Sequence, residues 1–413
     1  MHGNGDVDNN GGVLPLQALD SLEAKFTFLT EISGPIQEHF DLAIGTSPCG
    51  LVVFGLFING WSVRQCSNQF VRLAKMAFSR PQSLVMAIHT DSRYRASDME
   101  QALKKAFGTE RARLDWSEAA NRYLTTKVAV TATTTDTSSA CIFGNYNGEG
   151  SRPSGCALPD DQVIRVWEVA RCTTAAPAFT PPPPLFQTLQ GRKLRAFQDG
   201  GLLNNNPLDI VQREIRFIWP HTVMDFALSM AVSPASIILM TALNGQKAWQ
   251  ELQNYLREEK KGIFFVSCQF EGKEPSIDDL AAMKRLNKPR KHGMATIGLD
   301  IAESLVAKQF YFELDRTPRY INGQYHCTGY LRCRFQGSQQ AQLLNYALQI
   351  PSAFTLGDGP IAHLRQPLAM SHGTFLHAVP SCIKELNQEA TILLTRMLAK
   401  SRAISGFPTT LHL

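Results

Sequence analysis

Phe40-Asp41-Leu42-Ala43-Ile44-Gly45-Thr46-Ser47-Pro48-Cys49-Gly50-Leu51-Val52-Val53-Phe54-Gly55-Leu56-Phe57 is the stretch from which the fold is read. Phe40 to Ile44 is a short strand-like run, Gly45 to Gly50 a tight turn, and Leu51 to Phe57 has the composition of a buried helix. Upstream, Leu16, Leu19, Leu22, Phe26 and Leu29 recur at helical spacing behind Pro15, which predicts an amphipathic helix over 14–29. Downstream, helices are expected over 67–78, 98–107 and 161–171, and Lys127 to Thr133 is rich in β-branched residues and reads as a strand. Strands alternating with helices imply an α/β layer architecture.

Composition narrows the function classes. Of 413 residues, 44% are hydrophobic and 19% charged, which supplies a core and excludes a disordered polyelectrolyte. Lys and Arg number 41 against 36 Asp and Glu, a net +5 too dilute for a dedicated nucleic-acid binder. The nine Cys form no CxxC pair and no Cys/His ligand spacing, so neither a structural zinc nor a disulfide framework is expected. Cys327 and Cys333 read as reduced thiols and the compartment as reducing, hence cytoplasmic. Met1 to Asn10 has neither the cationic start nor the apolar stretch of a signal peptide. The uncharged run from Phe226 to Gln246 splits at Pro234 and carries Ser229, Ser233 and Ser236; two strands, or a strand and a helix, are expected rather than a membrane span.

Asn145-Tyr146-Asn147-Gly148 reads as a loop and Pro181 to Pro184 as an extended spacer. The pattern changes near residue 245, placing a first domain at 1–245 and a smaller mixed α+β accessory region at 246–413. That region opens with a helical linker over 248–257 and carries a basic cluster at Lys284, Arg285, Lys288, Arg290 and Lys291. Phe310 to Leu314 and Gln324 to Cys327 flank the hairpin signal Asn322-Gly323, Tyr330 to Phe335 suggests a third strand, and a closing helix is expected over 381–401.

Two segments carry chemistry. Gly45-Thr46-Ser47 at the exit of a strand is the first half of a nucleophile elbow, the turn that lifts a Ser hydroxyl above a sheet, although a Ser here is also an ordinary helix N-cap. Gln198-Asp199-Gly200-Gly201-Leu202 is a turn in any protein, but an Asp held by a Gly turn can serve a nearby Ser as general base once burial raises its pKa.

With these segments in order, the chain resembles the patatin-like phospholipases, Ser-Asp lipid acyl hydrolases, and in particular fungal members of that family. The resemblance spans roughly 9–230 and is carried by Phe40 to Ser47 with Gly50-Leu51, Gly60-Trp61-Ser62-Val63, Lys127 to Ala132, Asn145-Tyr146-Asn147, Val166 to Pro177, Gln198 to Leu202 with Asn205-Asn206-Pro207, and Trp219-Pro220. It implies a three-layer α/β/α domain and hydrolysis of fatty-acyl esters in phospholipids or related lipids through an acyl-enzyme, without metal or cofactor. Ser47 is implied as nucleophile and Asp199 as its partner, with Gly45, Gly50, Gly200 and Gly201 shaping the two turns. A Ser-His-Asp triad using His221 or another histidine is the competing arrangement. Lipid is the implied partner, met at a peripheral membrane surface, and nucleic acid is not.

Three departures from the family pattern bear on activity. The family's Gly-rich Asp-Gly-Gly-Gly-x-Arg-Gly loop corresponds to Asp8-Asn9-Asn10-Gly11-Gly12-Val13-Leu14-Pro15, leaving Gly11 and Gly12 as the implied oxyanion donors without the Arg-Gly part. Pro48 has no N–H to offer the oxyanion. Cys49 adds a side chain where the elbow usually has Gly, and is expected to crowd the turn. These departures leave a second expectation, a catalytically weakened member that binds lipid or a protein partner.

Overall fold

The computed structural model describes residues 13–109, 126–135, 138–146, 164–180, 196–204, 207–222, 224–233, 263–269, 278–286, 298–349, 352–356, 359–363, 370–371, 374–387, 389–396, 400–407 and 409–410. Helix α1 (Val13–Thr30) leads through a 3-10 turn (Ile36–His39) into β1 (Leu42–Thr46), α2 (Pro48–Val53) and a π-helical turn (Phe54–Ile58). Then come α3 (Val63–Phe78), α4 (Leu84–Thr90), α5 (Ala96–Phe107), β2 (Lys127–Thr134), β3 (Ala140–Gly144), α6 (Val166–Thr173), β4 (Phe197–Asp199), α7 (Gly201–Asn204), α8 (Leu208–Ile218), β5 (Ala227–Ser233) and β6 (Ile263–Gln269). The expected strand, turn and helix around Ser47 are all present. Helix α3 starts where Ser62 and Gln65 exchange side-chain to backbone hydrogen bonds, a capping box that fixes its first turn.

Three strands meet on β2, and their register decides the site. β1 lies parallel to β2, with Thr46 opposite Thr131. β3 is antiparallel along the other edge, from Ala129 opposite Gly144 to Thr133 opposite Ala140. β4 is antiparallel to β2 with Asp199 opposite Ala132, one position beyond Thr131. Because β3 already fills the far edge at Ala132, β4 must lie on the edge that β1 occupies. The two strands therefore meet end to end, and Ser47 and Asp199 face each other across the junction.

The second half contains α9 (Leu280–Leu286), α10 (Leu299–Ala307), β7 (Phe310–Leu314), β8 (Arg319–Ile321), β9 (Gln324–Cys333), α11 (Gly337–Gln349), β10 (Ser352–Leu356), β11 (Gly359–His363), β12 (Met370–Ser371), β13 (Thr374–Ile383), β14 (Glu389–Ala390), β15 (Ile392–Arg396), β16 (Arg402–Ala403) and β17 (Thr409–Thr410). One sheet has the order β12-β13-β9-β7 with β8 also on β9; another has the order β11-β10-β15-β16. Most of the buried apolar residues of both halves form one cluster, joining Leu14, Leu22 and Phe26 of α1 to Val130 of β2 and to Leu305, Phe310, Leu331 and Phe354, while Ala129, Tyr146, Phe217 and Ile218 form a second. The architecture is α/β.

The Asn322-Gly323 turn forms as expected, with φ of 51° and 81° at its two central residues, the left-handed pair that a tight hairpin needs. Three expectations are corrected. The third strand at 330–335 is the continuation of β9, because Cys327, Gly329, Leu331 and Cys333 alternate inward without a break. The closing helix over 381–401 is not formed: Ser381 to Ile383 end β13 opposite Cys327 to Tyr325, and Ile392 to Arg396 pair with Leu356 to Ser352. In β15 the burial alternates, Ile392 and Leu394 inward and Leu393 and Thr395 half-exposed, a period of two. Cys141 on β3 is disulfide-bonded, which departs from the expected reducing compartment, whereas Cys327 and Cys333 are thiols without a disulfide, as expected.

Residues 181–184 and 248–257, Pro234 to Gln246, and Lys288, Arg290 and Lys291 of the basic cluster lie outside the described residues, as do Gly11 and Gly12. No helix among the described residues is long and apolar enough to cross a membrane.

Candidate active site

Ser47 has φ 54° and ψ −127°, a backbone conformation that L-residues rarely hold and that here turns the chain sharply from β1 into α2. Its position is that of an N-cap, yet its side chain makes no capping hydrogen bond to α2. The hydroxyl instead donates to Asp199 Oδ2 at 2.5 Å. The simpler capping role is thereby ruled out by geometry. Pro48 takes the first helical position, where a missing N–H costs nothing to the helix.

Each neighbour of the pair has a structural reason. A Cβ on Gly45 would stand 2.5 Å from the Cys49 carbonyl oxygen, so only Gly lets the strand meet the helix so closely. A Cβ on Gly200 would stand 2.4 Å from the Thr131 carbonyl oxygen, which is the same constraint on the Asp turn. Gly201 donates its N–H to Asp199 Oδ1 at 2.7 Å, and Gly50 packs tightly under Thr173. The Asp199 backbone is fixed as well, its N–H donating to Ala175 O at 3.0 Å and its carbonyl accepting from Thr133 Oγ1 at 3.0 Å. Both carboxylate oxygens are thus engaged, and neither member of the pair bonds a histidine among the described hydrogen bonds. His221 is exposed on the surface.

Ser47 is 6% exposed and Asp199 1%. Burial pushes the Asp199 carboxyl up from 3.8 to about 6, while the hydrogen bonds from Ser47 and Gly201 oppose that rise. The result is a carboxylate still ionised near neutrality but far more basic than an exposed one, and in contact with a hydroxyl it can deprotonate.

Thr173 is a positioning residue where the sequence alone suggests only a turn former. Its Oγ1 accepts from the Ser47 N–H at 2.9 Å and donates to Thr131 O at 2.7 Å, so one fully buried hydroxyl holds the strained elbow to the sheet. The signal is the run Cys172-Thr173-Thr174-Ala175-Ala176-Pro177, whose small residues stand out but assign no role by themselves. Cys49 does not crowd the turn. It lies in the first turn of α2 and lines a cavity, and burial pushes its thiol up to about 12.

That cavity has a volume of about 500 Å³ and lies between β1 and β5. It reaches Gly45, Thr46 and Cys49 on either side of Ser47, but not the Ser47 hydroxyl itself. Its walls are apolar near Leu19, Val52 and Leu56, and one end is polar, with Lys308 Nζ donating to Ile404 O at 3.0 Å and standing 3.7 Å from Asp225. Burial lowers the Lys308 pKa and Asp225 works against that. His39, also on the cavity wall, is held to about 4 by burial and is neutral at physiological pH.

The family model described as patatin-like phospholipase matches residues 10–211. The rat protein named calcium-independent phospholipase A2-gamma is 28% identical over 235 residues, covering 54% of this chain and 27% of its own length. The human protein of the same name is 26% identical over 235 residues with the same coverage, 54% and 27%. Phospholipase A I of Arabidopsis thaliana is 24% identical over 245 residues, covering 48% of this chain and 18% of its own. The chain therefore spans about a quarter or less of the length of these relatives. Residues 10–211, just under half of the chain, match the patatin-like phospholipase model and contain both the elbow serine and the buried aspartate.

Proposed function

We propose that the protein is a phospholipase A-type lipid acyl hydrolase in which Ser47 is the nucleophile and Asp199 the general base. One observation carries the assignment: the hydroxyl of a strained, buried serine donates to a buried carboxylate instead of capping its own helix. In the first half-reaction Asp199 takes the Ser47 proton as Oγ bonds to the ester carbonyl carbon. The tetrahedral adduct collapses, the carbon–oxygen bond to the lipid alcohol breaks, and the alcohol leaves with the proton from Asp199. Water then gives its proton to Asp199 and attacks the acyl-serine, releasing the fatty acid and restoring the hydroxyl. Gly11 and Gly12 are assigned as oxyanion donors on sequence position. The relatives named as calcium-independent suggest a reaction indifferent to chelators.

A second reading, a lipid- or partner-binding member with weak turnover, is favoured by the donors at the elbow. Pro48 has no N–H, and the Ser47 N–H is already committed to Thr173. Loss of one oxyanion donor costs about 10²–10³ in rate.

The test is hydrolysis of a short-chain chromogenic ester and of a phospholipid, with chelator present, by the parent, Ser47→Ala and Asp199→Asn proteins. Turnover lost in both variants, with circular dichroism unchanged, supports the dyad. No turnover by the parent, with retained phospholipid binding, favours the second reading, and turnover indifferent to Ser47→Ala overturns the first.

A further inference from the structure

Helix α4 is built inside out. Leu84, Val85 and Ile88 are 78%, 76% and 74% exposed, Met86 is 47% exposed, and none of its seven residues is buried. At about 100° per residue, Leu84, Val85 and Ile88 share one side of the helix, so the apolar side faces outward, while Ala87 and Thr90 turn towards the body. A surface helix ordinarily presents the reverse.

The exposure is not that of a frayed end. Ser83 caps the first turn, and Asp91 closes the last turn in the left-handed conformation. The Gln82 side-chain amide donates to Thr90 Oγ1, Ser92 O, Ser92 Oγ and Tyr94 O at 3.1–3.3 Å, tying the two ends of the segment together. Arg93 and Tyr94 donate their N–H groups to Ala178 and Phe179, each at 2.8 Å, anchoring the base on the segment that follows α6. The fold thus holds a compact apolar helix out from the body on a fixed stem.

Basic residues surround that stem. Arg80, Arg93 and Arg95 are all exposed where the chain enters and leaves α4, against the carboxylates of Asp91 and Asp278, the latter paired with Arg93 at 2.9 Å. An apolar wedge ringed by arginines is complementary to an anionic bilayer, whose surface attracts the guanidinium groups and whose interior receives the aliphatic side chains.

We propose that α4 is a membrane-docking helix that inserts Leu84, Val85 and Ile88 into the boundary between headgroups and acyl chains of an anionic phospholipid surface. The choice of occupant rests on the phospholipid-substrate reading given above. Binding needs no turnover, however, so the proposal is tested on the Ser47→Ala protein and fails or stands separately from catalysis.

The experiment is co-sedimentation of the full chain, carrying Ser47→Ala, with phosphatidylcholine vesicles, with and without phosphatidylserine. The triple variant Leu84→Ser, Val85→Ser, Ile88→Ser is compared with its parent, and with Ser47 restored both are assayed for short-chain ester hydrolysis. The expected result is binding that strengthens with phosphatidylserine and weakens with salt. The triple variant should lower it about tenfold or more, with short-ester turnover unchanged. Val85→Trp gives an independent reading, its fluorescence shifting to the blue and being quenched by brominated lipid. Equal sedimentation of parent and triple variant, or a Val85→Trp signal indifferent to vesicles, would overturn the proposal. So would a parent that self-associates through α4 and ignores vesicles, which would assign the helix to a second copy of the chain.

Discussion

Replacing Asp199 by Asn should abolish turnover and yet stabilise the protein, by an amount that depends on pH in a defined way. Burial raises the carboxyl from 3.8 to about 6. At about 1.4 kcal/mol per unit, keeping it ionised costs the folded state about 3 kcal/mol relative to the unfolded chain. As pH rises from about 4 to about 6, the unfolded chain releases this proton first, so the folded state holds more protons and the parent loses stability through that window. Above it the deficit is constant. Asn carries no charge to desolvate, and its oxygen and amide can still face Gly201 and Ser47. Any mispairing of the amide is independent of pH, so the discriminating quantity is the growth of the difference between variant and parent. Urea unfolding followed by far-UV circular dichroism should show that difference increasing by about 3 kcal/mol between about pH 4 and pH 8. The parent's kcat/KM should rise over the same range to a plateau above about 6, as the base becomes ionised. A stability difference that is flat with pH would refute the raised pKa and with it the poised base.

Thr173→Val leaves the buried Ser47 N–H without its acceptor and should cost about 2–4 kcal/mol in urea unfolding together with most of kcat. Thr173→Ser, which keeps the hydroxyl, should recover both in large part. Gly200→Ala forces a Cβ to within 2.4 Å of the Thr131 carbonyl and should cost about 2 kcal/mol or more while displacing Asp199, seen as joint loss of Tm and kcat. Gly323→Ala strains a left-handed turn residue remote from the site, so about 1 kcal/mol of stability should be lost with the rate of hydrolysis unchanged.

The elbow was legible in the sequence because its local code is strong: an apolar strand, a Gly-Thr-Ser turn and a buried helix within eighteen residues, Phe40 to Phe57. What the sequence left open was whether Ser47 caps α2 or serves as a nucleophile. That is decided by β4, whose pairing one position beyond Thr46 on β2 brings in Asp199 from 152 residues away. The Asn322-Gly323 hairpin was equally readable, since its turn chemistry is local. The stretch from Ser381 to Ser401 was misread because its leucines and Ile392 also fit a helical period, and long-range pairing with β9 and β10 overrode that local preference. Thr173 escaped for a related reason: a threonine in a small-residue run reveals a hydrogen bond to a backbone 126 residues distant only once the fold is known. Helix α4 went unread because its apolar residues would ordinarily signal a buried segment.

The most direct test of the Ser47 assignment is covalent trapping. The folded protein is treated with a lipophilic fluorophosphonate, and the adduct is located by peptide mass mapping. The expected result is one phosphonyl group on Ser47, absent from Ser47→Ala and formed much more slowly by Asp199→Asn. A protein that stays unlabelled while folded, or one labelled at another residue with Ser47 untouched, would contradict the assignment of Ser47 as the nucleophile.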